Sequence, residues 1–201
     1  MGLRPGETLG RFPHQLSGGQ RQRLMVARAM LCQPKLIIAD EPVSMVDASL
    51  RATILASLQR LNQELGISIV YITHDLTTAY QVCDHLLVMY AGSVVEAGDA
   101  GKIIHAPEHP YTQLLISSIP SVDRSQRWED GMVDEASDQR SRAVTGCKFA
   151  PRCRHAVERC WQAQPPLFQT EEDRAAACIL YDSHSTLDAQ DVSQTFVGST
   201  P

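Results

Sequence analysis

Two adjacent carboxylates, Asp40-Glu41, end the apolar run Leu36-Ile37-Ile38-Ala39, and a histidine, His74, follows a second apolar run, Ile67 to Ile72. Paired carboxylates at the end of a buried strand are costly unless a cation or a proton-transfer task needs them. One of them can hold Mg²⁺, directly or through water, while its neighbour positions or deprotonates an attacking water. A histidine at the same level can donate a hydrogen bond to a phosphate oxygen. Taken singly, each is as well explained by a solvated turn or a structural histidine. Their weight comes from lying at the ends of two strands.

A second feature is Ser17-Gly18-Gly19-Gln20, just ahead of a helix-forming run. Glycines let backbone N–H groups approach a phosphate closely, and a helix N-terminus favours an anion. The plain alternative is a helix start capped by Ser17, with Arg21 and Arg23 as solvated charges. A third feature is Cys147-x5-Cys153-x6-Cys160-x17-Cys178. Without a secretory signal, such a group reads more readily as a metal site than as disulfides. Tetrahedral zinc uses four cysteines but usually in tighter pairs. Four cysteines also hold a [4Fe-4S] cluster. Four unligated thiols in a small packed tail is the remaining alternative.

The elements that would position these groups alternate. Residues 1–15 read as a loop rich in Gly and Pro. From Gln20, the spacing of Leu24, Ala27 and Leu31 predicts a helix, which Pro34 stops. Leu36–Ala39 and Ile67–Ile72 read as strands buried on both faces. Between them Leu50, Ile54, Leu58, Leu61 and Leu65 step at helical intervals, with Asp47 as N-cap and Gly66 as closure. A short helix follows to about Cys83, then a hairpin, Leu86–Tyr90 and Val94–Glu96, across Ala91-Gly92-Ser93. Strand, helix, strand implies a right-handed crossover and a parallel sheet, whose ligands bind beyond the strands' carboxyl ends. Asp40, Glu41 and His74 all fall there. Residues 121 to about 146, polar and aperiodic around Trp128, read as a linker, and 181–201 as a disordered tail.

Composition narrows the function classes. The chain has 201 residues, is 43% hydrophobic and 20% charged, and carries a net charge of -5. An acidic chain lacks the basic footprint of a nucleic-acid binder, so no nucleic-acid partner is expected. No apolar run approaches the roughly 18 residues a bilayer span needs.

Four segments then carry a resemblance to a known family. Leu16-Ser17-Gly18-Gly19-Gln20, Leu36 to Pro42, Ser44-Met45-Val46-Asp47 and Thr73-His74-Asp75 stand in order at the right separations. They resemble the signature, Walker B, D-loop and H-loop of an ABC-transporter ATPase, over residues 10 to 98. Val88-Met89-Tyr90-Ala91-Gly92, Val95-Glu96-Ala97-Gly98, Pro107 to Thr112 and Ser118-Ile119-Pro120 resemble its dipeptide/oligopeptide (nickel) permease branch. The implied fold is α/β: the C-terminal part of an ABC-type P-loop ATPase, with a parallel sheet core and helices, plus a small cysteine-rich extension. The implied domains are 1–100 for the partial ATPase, 101–146 for a family-typical helix and linker, 147–180 for the cysteine segment and 181–201 for the tail.

The resemblance also implies roles. Asp40 helps hold Mg²⁺ and Glu41 polarises the water. His74 contacts the γ-phosphate. Ser17, Gly18, Gly19 and Gln20 grip ATP held mainly by an opposite subunit, and Asp47 links the two sites. Cys147, Cys153, Cys160 and Cys178 hold a [4Fe-4S] cluster, with zinc as the alternative; Arg152, Arg154 and Arg159 offset thiolate charge or are simply solvated. His105 and His109 read as Pro-flanked turn residues. The implied partners are a second ATP-binding subunit, transmembrane permease subunits and, indirectly, an extracytoplasmic solute-binding protein. The implied place is the cytoplasmic face of the membrane, as a peripheral subunit, and the implied work is ATP-driven uptake of peptides or a related solute. A non-catalytic module lending its signature to a partner ATPase is the alternative; an independent iron–sulfur redox protein leaves most of the chain unexplained.

A G-x-x-x-x-G-K-[ST] phosphate loop is not found within the 201 residues. The nearest string, Glu96 to Ile103, has Glu96 for the first glycine and Ile103 for the hydroxyl residue, and it follows the H-loop. The chain is therefore expected to hold ATP weakly by itself and to show little or no ATPase activity alone.

Overall fold

The computed structural model of the chain describes residues 3–44, 46–119, 145–188 and 192–196. The expected linker falls, apart from its last two residues, outside them. The chain divides into two units, Met1–Val82 and Cys83–Pro201. This differs from the boundary expected near residue 100, because the hairpin that follows residue 83 shares a sheet with the cysteine-rich segment.

In the first unit, two short turns replace the expected opening loop: α1 (Pro5–Thr8), started by a proline, and a 3-10 turn at Pro13–Gln15. A proline suits such starts because its fixed φ is already helical and the missing N–H has no partner there. α2 (Gly18–Met30) is capped by Ser17, whose hydroxyl accepts from Gln20 N, while Gln20 Oε1 accepts from Ser17 N at 2.9 Å. β1 (Leu36–Asp40) leads to α3 (Ala48–Leu65). Asp47 caps α3 by accepting from Leu50 N at 2.9 Å, and Gly66, at φ 64°, closes it. That left-handed turn is nearly free for glycine and costly for a residue with a Cβ. β2 (Ser68–Ile72) and α4 (Leu76–Val82) complete the unit.

β1 and β2 pair in parallel, from Leu36 opposite Ser68 to Asp40 opposite Ile72. The expected strand–helix–strand crossover is present. One strand face meets α3: Ile69 and Tyr71 pack on a core of Val43, Ile54, Leu55 and Leu58. The other face is bare, against the expectation of strands buried on both sides. Leu36, Ile38, Val70 and Ile72 are 51%, 65%, 47% and 47% exposed. Residues two apart share a face, and no described element of this unit covers that one.

The second unit begins with the expected hairpin, β3 (His85–Tyr90) and β4 (Ser93–Asp99), with a register shift at Val88/Met89. α5 (Ala100–His105), α6 (Pro110–Ser117) and α7 (Arg159–Gln162) follow, then β5 (Phe168–Glu171) and β6 (Arg174–Ala176). The four strands form one antiparallel sheet in the order β3-β4-β6-β5. β6 inserts beside β4 with Gly98 opposite Arg174. A Cβ at Gly98 would collide with the Asp173 backbone, so this crossing requires glycine.

The tail beyond 181 is in part packed rather than disordered. Leu187 joins Leu167, Ala175 and Ala177 in a buried cluster, and its N–H donates to Leu167 O at 2.8 Å. Thr195 is fully buried, and the Phe196 ring meets His85 edge-on at 5.1 Å. A second backbone bond, Gln169 N to Ser185 O at 2.8 Å, and Val192 packed on the same cluster add to these contacts. Among the described residues no helix is long and apolar enough to cross a membrane.

Candidate functional site

The C-terminal ends of β1 and β2 bring two of the expected groups together. Glu41 follows β1 and His74 follows β2 by two residues. Glu41 Oε1 lies 2.6 Å from His74 Nδ1 and accepts from His74 N at 3.1 Å. Glu41 N donates to Ile72 O at 2.9 Å, extending the parallel ladder by one bond. Glu41 sits at φ 45°, in the left-handed region. A non-glycine residue there stores roughly 1–3 kcal/mol of strain and marks a position held for a reason. The pair is open to solvent: the His74 side chain is 83% exposed and that of Glu41 34%. Asp40, the last residue of β1, is exposed beside it.

The hydrogen bond has a chemical consequence. A carboxylate oxygen accepts, so His74 Nδ1 donates to it. A neutral imidazole has one proton, and Nε2 is then left as an acceptor. A neutral His74 in this arrangement has no second N–H to offer a phosphate, a protonated one keeps Nε2–H, and in either form one Glu41 oxygen is engaged. A neutral His74 must part from Glu41 before it can donate to a phosphate.

Ser17 and Gln20 are likewise engaged with each other in their capping box, so Ser17 is first of all a structural cap. Gly18 opens α2, and the helix start leaves backbone N–H groups without helical partners. Gly19 is buried against Leu50 of α3, where any Cβ would overlap the leucine side chain. A side chain at this position would have to displace the Leu50 side chain. Asp47 serves as the cap of α3, and Arg51 of the same helix pairs with Asp75 at 3.4 Å. The near-match to a phosphate loop at 96–103 is spent structurally: Glu96 is buried, Asp99 caps α5, and Lys102 bridges Glu171 at 2.5 Å and Asp173 at 2.6 Å. These carboxylates raise the Lys102 pKa, and Lys102 in turn holds Asp173 below the usual carboxylate range.

The second unit gathers the four cysteines. Cys147, Cys153, Cys160 and Cys178 line one cavity of about 20 Å³, together with His109 and Phe149. A turn at Cys147–Ala150 and the bond from Cys147 N to Cys160 O, 2.7 Å, draw the first three together. All six cysteines are free thiols. Burial raises the pKa of Cys147 and Cys153, and pushes Cys178 up to about 11. Binding a metal there must therefore expel protons.

The expectation of a ligand set needs a correction. Among the described residues no three His, Cys, Asp or Glu side chains form a group placed to hold a metal ion. Zinc requires four sulfurs within about 2.3 Å of a single centre, and the thiols do not converge that way. What fits is the chemistry of the donor set: four soft sulfur donors around one cavity. The cavity as it stands has room for about one water, so a larger group would have to push its walls outward.

Three residues that anchor this region have no anchoring role assigned from the sequence. Glu96 and Arg174 are 0% and 2% exposed and pair at 2.8 Å. Glu96 also accepts from Glu108 N at 3.0 Å and His109 N at 2.9 Å, which fixes the start of α6. His109, set aside as a turn residue, is 1% exposed and faces the thiols. Its position as N-cap after Pro107-Glu108 and before Pro110 was the available clue.

Comparison with known proteins bears on both units. The family described as "ABC transporter" matches residues 2–44, and "Oligopeptide/dipeptide transporter, C-terminal region" matches residues 95–160. The chain is 39% identical over 185 residues to the oligopeptide transport ATP-binding protein AppD of Bacillus subtilis, covering 89% of this chain and 54% of that protein. It is 40% identical over 174 residues to the dipeptide transport ATP-binding protein DppD of Escherichia coli, covering 87% and 53%. For DppF of Haemophilus influenzae the identity is 40% over 182 residues, covering 90% and 55%. The chain thus spans about half the length of the curated relatives it matches. Among solved structures, the dimeric ATP-binding cassette MJ0796 with ADP and Pi is 35% identical, with a TM-score of 0.41, over 44% of this chain and 38% of that one.

Proposed function

The chain is a relative of the ATP-binding subunits of dipeptide- and oligopeptide-type ABC transporters, and from that kinship we propose that it serves ATP-driven uptake of peptides or a related solute. The observation that carries the reading is the Glu41–His74 pair at the ends of two parallel strands, on a strained backbone. Mg²⁺ bound with the nucleotide supplies charge neutralisation on the phosphates. Asp40, exposed at the end of β1, is read as the residue that would hold it. Glu41, released from His74, orients the attacking water. His74, released from Glu41, turns an N–H toward the terminal phosphate. Ser17, Gly18, Gly19 and Gln20 present a helix N-terminus to the nucleotide of a second ATP-binding subunit, and Asp47 stands at the start of α3 to link the two. Transmembrane permease subunits and an extracytoplasmic solute-binding protein complete the partners, with this chain peripheral on the cytoplasmic face.

In a transporter reconstituted with this chain, Glu41→Gln is expected to lower ATP turnover at least ~10²-fold while nucleotide stays bound. Unchanged turnover would favour the alternative, a module that only lends its signature to a partner; Gly19→Arg would then still impair the partner's hydrolysis.

The cysteine segment is read as holding a [4Fe-4S] cluster. Support comes from four thiols on one cavity, with the transporter C-terminal match running through Cys147, Cys153 and Cys160. Zinc is the alternative occupant. When bound, the cluster supplies a cross-link between residues 147 and 178; the cysteines hold it, and Phe149 shields it. Anaerobic loading with iron and sulfide, followed by visible absorbance, tests this directly.

A further inference from the structure

Gln22 of α2 reaches out of its helix to the turn after β1, where its Nε2 donates to Pro42 O. Pro42 O can only accept, so it is the amide nitrogen that faces it. The amide oxygen is then turned away, buried, and without a hydrogen-bond partner among the described residues. A buried acceptor left unpaired costs stability that an apolar side chain of the same length would not. For packing α2 the glutamine is therefore a poor choice. What it does supply is a fixed point on the segment that carries Glu41. Glu41 N donates to Ile72 O at 2.9 Å, and Glu41 O accepts from Ser44 N at 3.3 Å and Ser44 Oγ at 3.0 Å. Pro42 has no N–H, so its carbonyl is the backbone group by which it can be held, and Gln22 holds it. Glu41, at φ 45°, is thus fixed on both sides. A strained backbone persists only where its surroundings over-determine it.

We propose that Gln22 is a positioning residue for Glu41: through Pro42 it ties the strained turn to the helix that opens with Gly18-Gly19-Gln20. Its part in ATP hydrolysis rests on the function proposed above. Gln20 and Gln22 lie within one helical turn, so a displacement of one is a displacement of the other. The start of α2 meets the nucleotide of the second subunit, and the same turn of the helix holds the segment of Glu41. A shift of α2 on that nucleotide moves Pro42, and with it the carboxylate now bound to His74. Gln22 thereby links the helix that serves one ATP to the carboxylate that serves the other.

Two substitutions separate this role from packing. Gln22→Met keeps the length and removes the donor, and Gln22→Lys returns a donor to Pro42 O. The readout in the full chain is the tautomer of His74, from long-range proton–nitrogen magnetic resonance at alkaline pH, where the imidazole carries one proton; His74→Ala assigns the signal. Thermal melts check folding. In wild type the proton is expected on Nδ1, where Glu41 accepts it, and a wild-type His74 protonated on Nε2 overturns the inference at once. Gln22→Met is expected to melt close to wild type while its ratio of Nδ1–H to Nε2–H falls roughly fivefold, and Gln22→Lys to restore the ratio. A folded Gln22→Met with the wild-type ratio overturns the inference, and so does a ratio lowered equally in both variants, which marks a packing effect. If Gln22→Met does not fold, Gln22→Glu, ionised and without a donor, takes its place with the same outcomes; if neither folds, Gln22 holds the helix rather than the site and the inference falls. In the reconstituted transporter, Gln22→Met is expected to lower kcat about tenfold with the KM for ATP unchanged. If Glu41→Gln abolishes turnover and Gln22→Met leaves it intact, the inference fails and the ATPase reading stands. If Glu41→Gln changes nothing, that reading fails, and the tautomer decides by itself whether Gln22 positions Glu41.

Discussion

Glu41 with His74 and Glu96 with Arg174 are both acid–base pairs, yet the two units treat them in opposite ways. The first pair is exposed, joined through one carboxylate oxygen, and strained, at the mouth of a two-stranded sheet. The second is buried to 0% and 2%, and Glu96 has two backbone N–H partners besides the guanidinium. An exposed pair contributes little to stability and exchanges partners cheaply. A buried pair is costly to break because the survivor is left charged and dry. The unit with the nucleotide motifs keeps its polar groups tradeable. The unit with the cysteines spends its polar groups on holding three segments, β4, the start of α6 and β6, in one place.

This contrast can be broken by substitution, beginning with the largest effect. Arg174→Met leaves Glu96 buried and unpaired, and is expected to cost about 3–5 kcal/mol in urea unfolding of residues 83–201, followed by hydrogen exchange. A loss below about 1 kcal/mol would erase the distinction between the pairs. Leu58→Ala, in the core of the first unit, is expected to cost about 2–5 kcal/mol, with exchange rising in 1–82. Asp47→Ala removes the α3 cap at about 1 kcal/mol, read as faster exchange in the first turn of α3; unchanged exchange there would assign Asp47 no structural share. The smallest effect belongs to Lys102→Ala. Lys102 lowers the folded-state pKa of Asp173, so this link is intact above the unfolded value of 3.8 and is lost as pH falls below it. Wild type and variant should differ at neutral pH and converge under acid; a difference that persists at pH 2 would point to packing instead.

Much of the first unit was legible in sequence. Asp47 and Gly66 bound α3 because caps are local, and the helical step from Leu50 to Leu61 is a periodic signal. The last member of that step, Leu65, is 58% exposed, since periodicity assigns a face but not where the neighbouring element ends. The strands were placed correctly, but an apolar run does not reveal which side is covered. The second unit was harder. β5 and β6 are three or four residues long, with Arg174 and Glu171 in them, and their place depends on pairing with a strand some 80 residues earlier. Arg174 looks like any surface arginine until Glu96 is placed opposite it. The Glu41–His74 contact was half legible: strand ends put the two residues on one edge, but not the hydrogen bond that occupies them.

The pairing of Glu96 with Ala176 has a consequence for synthesis of the chain. At roughly 5–20 residues per second, β4 emerges about 4–16 seconds before the strand that belongs beside it. For that interval the hairpin β3–β4 offers an open edge, the kind of surface on which nascent chains stick to one another. Glu96 lies on that waiting strand, hydrated and charged, and a carboxylate there repels a second copy of the same hairpin. When Arg174 arrives, the group that guarded the edge becomes the group that seals it.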